Sequence, residues 1–215
     1  MGSLNGSHIS GKVFVKGKAS EEFICDMVTI TITFHHKELS GAKASQETTK
    51  QCEQFLKRLA ESGVDIAMLR LHNDSIDRRS YSDEEEVNAS RTIQFDSQAS
   101  ATTVNFILKI IQDELLDAEF STEYYLSNEE ELRKQLRRRA LEDSKENAEL
   151  LAQAAGKAIV GIDTIDMNHH QMRAASANNI SIRHEFHDIC QIFSKKLSMP
   201  NQNITEEVDV TWLIG

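Results

Sequence analysis

Val28-Thr29-Ile30-Thr31-Ile32-Thr33-Phe34 lies inside the segment from Phe23 to His36, and its reading decides the fold. Apolar residues at every second position, with threonines between them, have the period of a strand that buries one face. β-branched residues on both faces suit a pleated sheet. Upstream, Val13-Phe14-Val15 within Lys12 to Lys18 reads as a short strand. Gly17 to Ser20 offers turn residues, so a hairpin is expected to open the chain. Downstream, Ala44, Thr48, Cys52, Phe55, Leu56 and Leu59 recur at helical spacing. They predict a helix over 40–62, with Ser40 as N-cap and Gly63 as its stop. Cys52 on that face reads as a small buried apolar group.

The same order then recurs. Residues 66–72 predict a strand, and after a polar stretch Val87, Ala89, Ile93 and Phe95 alternate with polar residues. Val104, Ile107, Leu108, Ile111 and Leu115 share one face of a second helix over 100–116. Two strand–strand–helix units thus stand in tandem, at 11–63 and 66–116. A strand over 118–126 follows, with Phe120, Thr122, Tyr124 and Leu126 on one face. The longest helix is expected over 128–155, with a capping box from Ser127 and Glu130 or from Asn128 and Glu131, and Gly156 as its end. Its inner seam, Leu132, Leu136, Ala140, Ser144, Ala148, Leu151, Ala152 and Ala155, is mostly small, so the helix can lie close against what it covers. Strands at about 159–167 and 206–214 complete the pattern. The reading is a single α+β domain over 11–215, after a flexible N-terminus at 1–10. It has a mixed, largely antiparallel sheet with helices packed mainly on one face. A long excursion at about 168–203 exceeds an ordinary connection. Within it, 187–197 predicts a short helix ahead of Pro200, the single proline.

The chain has 215 residues with 24 basic and 34 acidic side chains, a net charge of −10. That charge argues against a nucleic-acid partner held by phosphate contacts and against an anionic lipid surface. No apolar run is long enough to span a bilayer, and the N-terminal residues lack the pattern of a secretory signal. Cys25, Cys52 and Cys190 are too few and too scattered for a disulfide framework or a zinc knuckle.

Several landmarks together resemble the SIMPL-domain family, a domain of unknown function widespread in bacterial proteins, with animal relatives. They are Val15-Lys16-Gly17, Asp26 leading into the alternating strand, and Glu61-Ser62-Gly63-Val64-Asp65-Ile66. A strand through Ala89, Arg139-Ala140, Ala148-Glu149-Leu150-Leu151-Ala152, the Gly156 to Ile165 stretch and Val208-Asp209-Val210-Thr211-Trp212-Leu213 complete the set. The resemblance covers roughly residues 11 to 215. It implies an α+β fold and a tendency to associate into larger assemblies, and it carries over no catalytic residues. Many bacterial relatives carry an export signal; its absence here favours a cytoplasmic location. Cys25 stands where the family usually has a proline before the aspartate.

Candidate chemistry is sparse. His35-His36 and His169-His170 are adjacent pairs whose members point apart on a strand, so neither pair chelates a metal alone. His184 and His187, with Glu185 and Asp188 nearby, form a half-site for a metal if that segment is helical. Asp83-Glu84-Glu85-Glu86, preceded by Asp74 and Asp77, lacks the glycine of a hard-cation loop and reads as a solvated turn. The basic run from Arg133 to Arg139 is matched by acidic residues four positions away: Glu129 with Arg133, Glu130 with Lys134, Arg138 with Glu142, and Arg139 with Asp143. No nucleophile elbow, phosphate loop, dinucleotide fingerprint or HExxH is present. Neither Cys25 nor Cys190 has a neighbour that would lower its pKa. The sequons at Asn73, Asn88, Asn179 and Asn203 have no meaning without export.

The expected role is therefore non-enzymatic: a protein that self-associates or binds another protein, with Ile189, Ile192 and Phe193 as contacts and no cofactor. The alternative is a small-ligand or metal-binding stress-defence protein that uses His184 and His187. An enzyme with an unrecognised site is the third reading.

Overall fold

A computed structural model of the chain describes residues 11–81, 84–167, 178–182 and 199–215. The elements run β1 (Gly11–Ile24), β2 (Met27–Glu38), α1 (Gly41–Glu61), a 3-10 turn (Ile66–Met68), β3 (Arg70–Tyr81), β4 (Glu84–Gln98), α2 (Ala101–Asp113), β5 (Ala118–Tyr125), α3 (Glu129–Ala154), β6 (Ile159–Asp166), β7 (Asn178–Ile182) and β8 (Asn201–Ile214). The fold is α+β, with its strands in two antiparallel sheets. The described residues divide into two compact units: 11–23, 128–167 and 201–215 in one, and 24–81, 84–127, 178–182 and 199–200 in the other.

The unit containing the alternating strand holds a five-stranded sheet in the order β3-β4-β2-β5-β7. Val28, Ile30, Ile32 and Phe34 of β2 are fully buried. They pack into one cluster with Cys52, Phe55 and Leu59 of α1 and with Val104, Ile107, Leu108 and Ile111 of α2. The Phe34 and Phe55 rings meet in a tilted contact, with centroids 5.7 Å apart. Each such side chain stabilises the fold by roughly 1.5–3 kcal/mol through burial. The threonines of β2 face the other way and tie into β4: Thr33 with Thr92 at 3.0 Å, and the Thr29 hydroxyl donating to Asp96 at 2.7 Å. Gly63 ends α1 at φ +82°, a conformation that costs glycine little.

The other unit holds the sheet β1-β8-β6, with α3 against it. Ile204, Val208, Val210, Trp212 and Ile214 of the central strand β8 are buried, as are Leu136, Ala140, Ser144, Ala148 and Ala152 of α3. The Trp212 indole N–H donates to the Ser144 hydroxyl at 3.0 Å. Contacts of Lys16 with Glu207 and of Ser20 with Thr205 and Asn203 run in opposite order along β1 and β8, which makes the pair antiparallel. β1 comes so close to α3 that a Cβ on Gly17 would lie 1.9 Å from the Ala140 carbonyl oxygen and 2.7 Å from the Ser144 nitrogen.

Several local expectations are corrected. β1 does not turn back at Gly17–Ser20 but runs straight for 14 residues and joins a different sheet from β2. Gly17 serves close packing, not a turn. The polar stretch after residue 72 is strand, because its side chains find partners across β4: Asp74 with Arg91 and Ser75 with Ser90. Residues 66–68 form a 3-10 turn, with the Asp65 carboxylate accepting the Ala67 N–H. Leu115 is exposed: α2 ends at Asp113, and Leu115 takes φ +51° to reverse the chain. Ile110 is buried on α2 in addition to the expected face. The capping box of α3 does not form, because the Asp26 carboxylate takes the Ser127 hydroxyl and N–H, and Asn128 makes no side-chain cap. Leu151 and Ala155 of the expected seam are exposed. β8 begins at Asn201, five residues before the expected start, and 178–182 within the excursion is strand.

Candidate functional site

His184, His187, Ile189, Ile192 and Phe193 lie outside the described residues, as do Cys190, His169 and His170. Among the described residues no group of three or more His, Cys, Asp or Glu could hold a metal ion. His35 and His36 are half-buried, and each faces its own carboxylate: Nε2 of His35 lies 3.6 Å from Glu119, and Nε2 of His36 lies 3.9 Å from Glu38. Cys25 and Cys52 are both buried, and burial pushes the Cys52 thiol pKa up, which disfavours the nucleophilic thiolate.

Four residues of the basic run on α3, Arg133, Lys134, Arg137 and Arg139, meet neighbouring acids. Arg133 bonds Glu129 on its own helix and Glu206 on β8, both at 2.8 Å. Arg137 donates from Nε to the other Glu206 oxygen at 3.1 Å. Gln202 donates to Glu129 at 3.2 Å, which extends the network along β8. Of the expected pairs, Glu129–Arg133 is formed, whereas Lys134 meets Glu131 and Arg139 meets Glu21 of β1. Asp143, expected beside Arg139, accepts the Lys18 backbone N–H at 2.9 Å instead. The nearly buried Glu206 carboxylate holds the Arg133 and Arg137 guanidinium groups and so fastens the helix to its sheet.

Two places remain open. The first is β6, which among the described residues has β8 as its one strand neighbour. Val160, Ile162, Ile165 and Met167, on β6 and just past its end, are each between 43% and 49% exposed. Register shifts at Ile159/Gly161 and Ile162/Thr164 break the ladder with β8. Those shifts explain why the apolar residues of β6 do not alternate in the sequence.

The second is a groove of about 340 Å³ in the five-stranded unit, lined by Ser45 and Thr48 of α1, Asp74, Ser75 and Ile76 of β3, and Ala89 and Ser90 of β4. Arg91 holds Asp74 through two bonds, Nε to Oδ1 at 3.0 Å and Nη2 to Oδ2 at 2.6 Å. That grip keeps the Asp74 carboxyl below the usual carboxylate range. The Thr48 hydroxyl turns back to the Ala44 carbonyl at 2.8 Å, and the hydroxyls of Ser75 and Ser90 bond each other at 2.8 Å.

Residues 13–212 match the family described as SIMPL, a protein of unknown function (DUF541). The chain belongs to the SIMPL family. The SIMPL match begins inside β1 and ends inside β8, so it takes in both compact units and the helices α1, α2 and α3. Among curated proteins, none matches the chain. No helix among the described residues is long and apolar enough to cross a membrane. The strand over 159–167 was legible in this SIMPL sequence, but its place at a sheet edge was not. The signal available was the broken alternation Ile159, Val160, Ile162, Ile165, which fits no single buried face. The groove had no signal at all, because serine, threonine and aspartate from three distant segments form it.

Proposed function

We propose that this SIMPL protein is a non-enzymatic scaffold that self-associates, with a second copy of the chain adding to β6. The observation that supports the reading is the run of half-exposed apolar residues on a strand that, among the described residues, pairs along one edge alone. Edge strands are normally blunted by charge, proline or cover, since their free backbone groups invite pairing. β6 carries Asp163 and Asp166, yet Lys12 neutralises Asp163 at 2.7 Å, and Val160, Ile162 and Ile165 stay open to water. The bulges shorten any continuous ladder, so side-chain packing supplies most of the contact. The tendency toward assembly that the SIMPL resemblance implies points the same way.

Light scattering behind a sizing column tests this over a dilution series. The expected mass is a multiple of 24.3 kDa that persists on dilution. Val160→Lys and Ile165→Lys, each checked for an unchanged circular dichroism spectrum, are expected to move it toward the monomer. A monomer at every concentration overturns the proposal, and so does an assembly that both variants leave intact.

A further inference from the structure

We infer that assembly at β6 is head-to-tail: β6 of one copy lies beside β1 of the next, whose α3 sets Leu151 against Ile162 and Ile165. The inference rests on the self-association proposed above and names the surface that meets β6.

The bulges of β6 decide which way its isoleucines face. Ile159, Ile162 and Ile165 sit opposite Ile214, Trp212 and Val210 of β8, all of which are buried. Trp212 bonds Ser144, so this is the face that α3 covers. Ile162 and Ile165 are nonetheless nearly half exposed, because the cover stops short of β6. The helix is displaced toward β1: Gly17 lies under Ala140 and Ser144, the Lys18 N–H donates to Asp143, and Arg139 meets Glu21. A helix about 10 Å wide spans roughly two strands set about 4.8 Å apart, and the third is left bare. An apolar shelf beside a helix is a surface that a further apolar group would bury favourably.

The opposite flank of α3 carries the complement. Arg139, Asp143, Asn147 and Leu151 follow one another at intervals of four, each one position before a buried residue of the helix. The first two of this stripe meet β1, so Leu151 lies on the β1 flank, and it is 48% exposed. The two apolar surfaces stand on opposite sides of one helix, so a single copy of this unit cannot join them, whereas two copies can.

Strand direction and spacing select β1 as the neighbour. Among the described residues β8 is the strand neighbour of β1, as it is of β6. β1 and β6 both run antiparallel to β8 and hence parallel to each other. The next copy can therefore repeat the first without reversal, its β1 beside β6 and its α3 on the same face. The two α3 axes then stand three strand spacings apart, about 14 Å. Helices in direct contact are about 8–10 Å apart, so a shallow gap remains, floored by Ile162 and Ile165 and closed by Leu151. Two β6 strands side by side would set the helices about 19 Å apart. The isoleucines of both copies would then line an open trough, still in water. Contact between β6 and β1 joins two different surfaces, so each copy keeps one of them free for a further copy.

The test is complementation, read as solution mass by light scattering on the full chain. The parent is expected to exceed two copies. Leu151→Lys and Ile165→Lys each spoil one of the two surfaces, and each is expected to raise the concentration of half-dissociation about tenfold or more. Both are first matched to the parent by Trp212 fluorescence and circular dichroism, so that a loss of assembly is not a loss of fold. Mixed, the variants still hold one good surface apiece, and they are expected to pair into a species of two copies that neither forms alone. Assembly unchanged in Leu151→Lys overturns the inference, as does a parent that closes at two copies or a pair of folded variants that stay apart on mixing. In those cases loss of assembly in Ile165→Lys leaves the β6 reading standing, whereas a parent that is monomeric at every concentration overturns both.

Discussion

Replacing Gly17 by alanine adds one methyl group where β1 passes under α3. At the present spacing that carbon would sit 1.9 Å from the Ala140 carbonyl oxygen and 2.7 Å from both the nitrogen and the Cβ of Ser144. Ordinary contact is about 3.5 Å, so the helix must withdraw by roughly 1.5 Å. No side chain can rotate out of the way, because two of the three nearest atoms are backbone. The withdrawal loosens Ala140, Ser144 and Ala148 from the sheet together, and a gap of 0.5–1 Å already forfeits about a quarter to a half of each contact. Overpacking costs about 1–3 kcal/mol in general, and this site lies at the top of that range. Loss of the Trp212–Ser144 hydrogen bond adds about 1 kcal/mol. A total near 4 kcal/mol corresponds to a melting point lower by about 10 °C. Trp212 is the single tryptophan and lies in the contact, so its fluorescence reports this unit directly. Gly161→Ala is the control, since a Cβ there meets Leu213 at an ordinary 3.8 Å. A Gly17→Ala melt that coincides with Gly161→Ala would refute the close-packing argument.

Other expectations follow from single contacts. The Ser127 hydroxyl, and then its N–H, hold the Asp26 carboxyl below its usual range. A depressed carboxyl adds stability that is complete above the unfolded value of about 4 and lost as pH falls through the folded value. Asp26→Asn should therefore lower the urea midpoint at neutral pH, and its difference from the parent should close in acid; a pH-independent difference counts against the assignment. Glu206→Ala removes the shared partner of Arg133 and Arg137 and should cost about 2 kcal/mol, less than a fully buried pair because Arg137 keeps some access to water; Trp212 fluorescence in urea measures it. Cys25 and Cys52 should resist a thiol reagent in the folded protein and react once denaturant is added, as peptide mass mapping will show.

What the sequence reveals, and what it hides, separates along physical lines. α1 was legible because its apolar stripe and Gly63 are both local, and each was found where the period placed it. The small residues of α3 correctly announced a close approach, but not its partner. Gly17 was misread for the same reason: a glycine that permits a turn and a glycine that permits contact look identical until the opposing helix is in view. The polar half of β3 could not be read as strand alone, since Asp74 and Ser75 gain their reason from Arg91 and Ser90 on another strand. Ser127 had a local use as a cap and a nonlocal use at Asp26, and the nonlocal one prevailed. The groove was illegible because none of its lining residues is unusual by itself. The five residues singled out for binding lie outside the described residues.

The order β1-β8-β6 has a consequence for how the protein is made. The middle strand of that sheet, β8, is the last of the described elements, and the edge strand β1 is the first. On a ribosome, β1 emerges well ahead of β8, its strand neighbour among the described residues, and waits on the order of ten seconds or more before β8 is synthesised. β2 to β5 emerge in the interval, with every contact among them available at once. A premature stop after Pro200 would thus leave α3 with no strand between its two flanking ones. It would spare the five-stranded unit and strand two extended segments, and such a fragment is a ready client for chaperones.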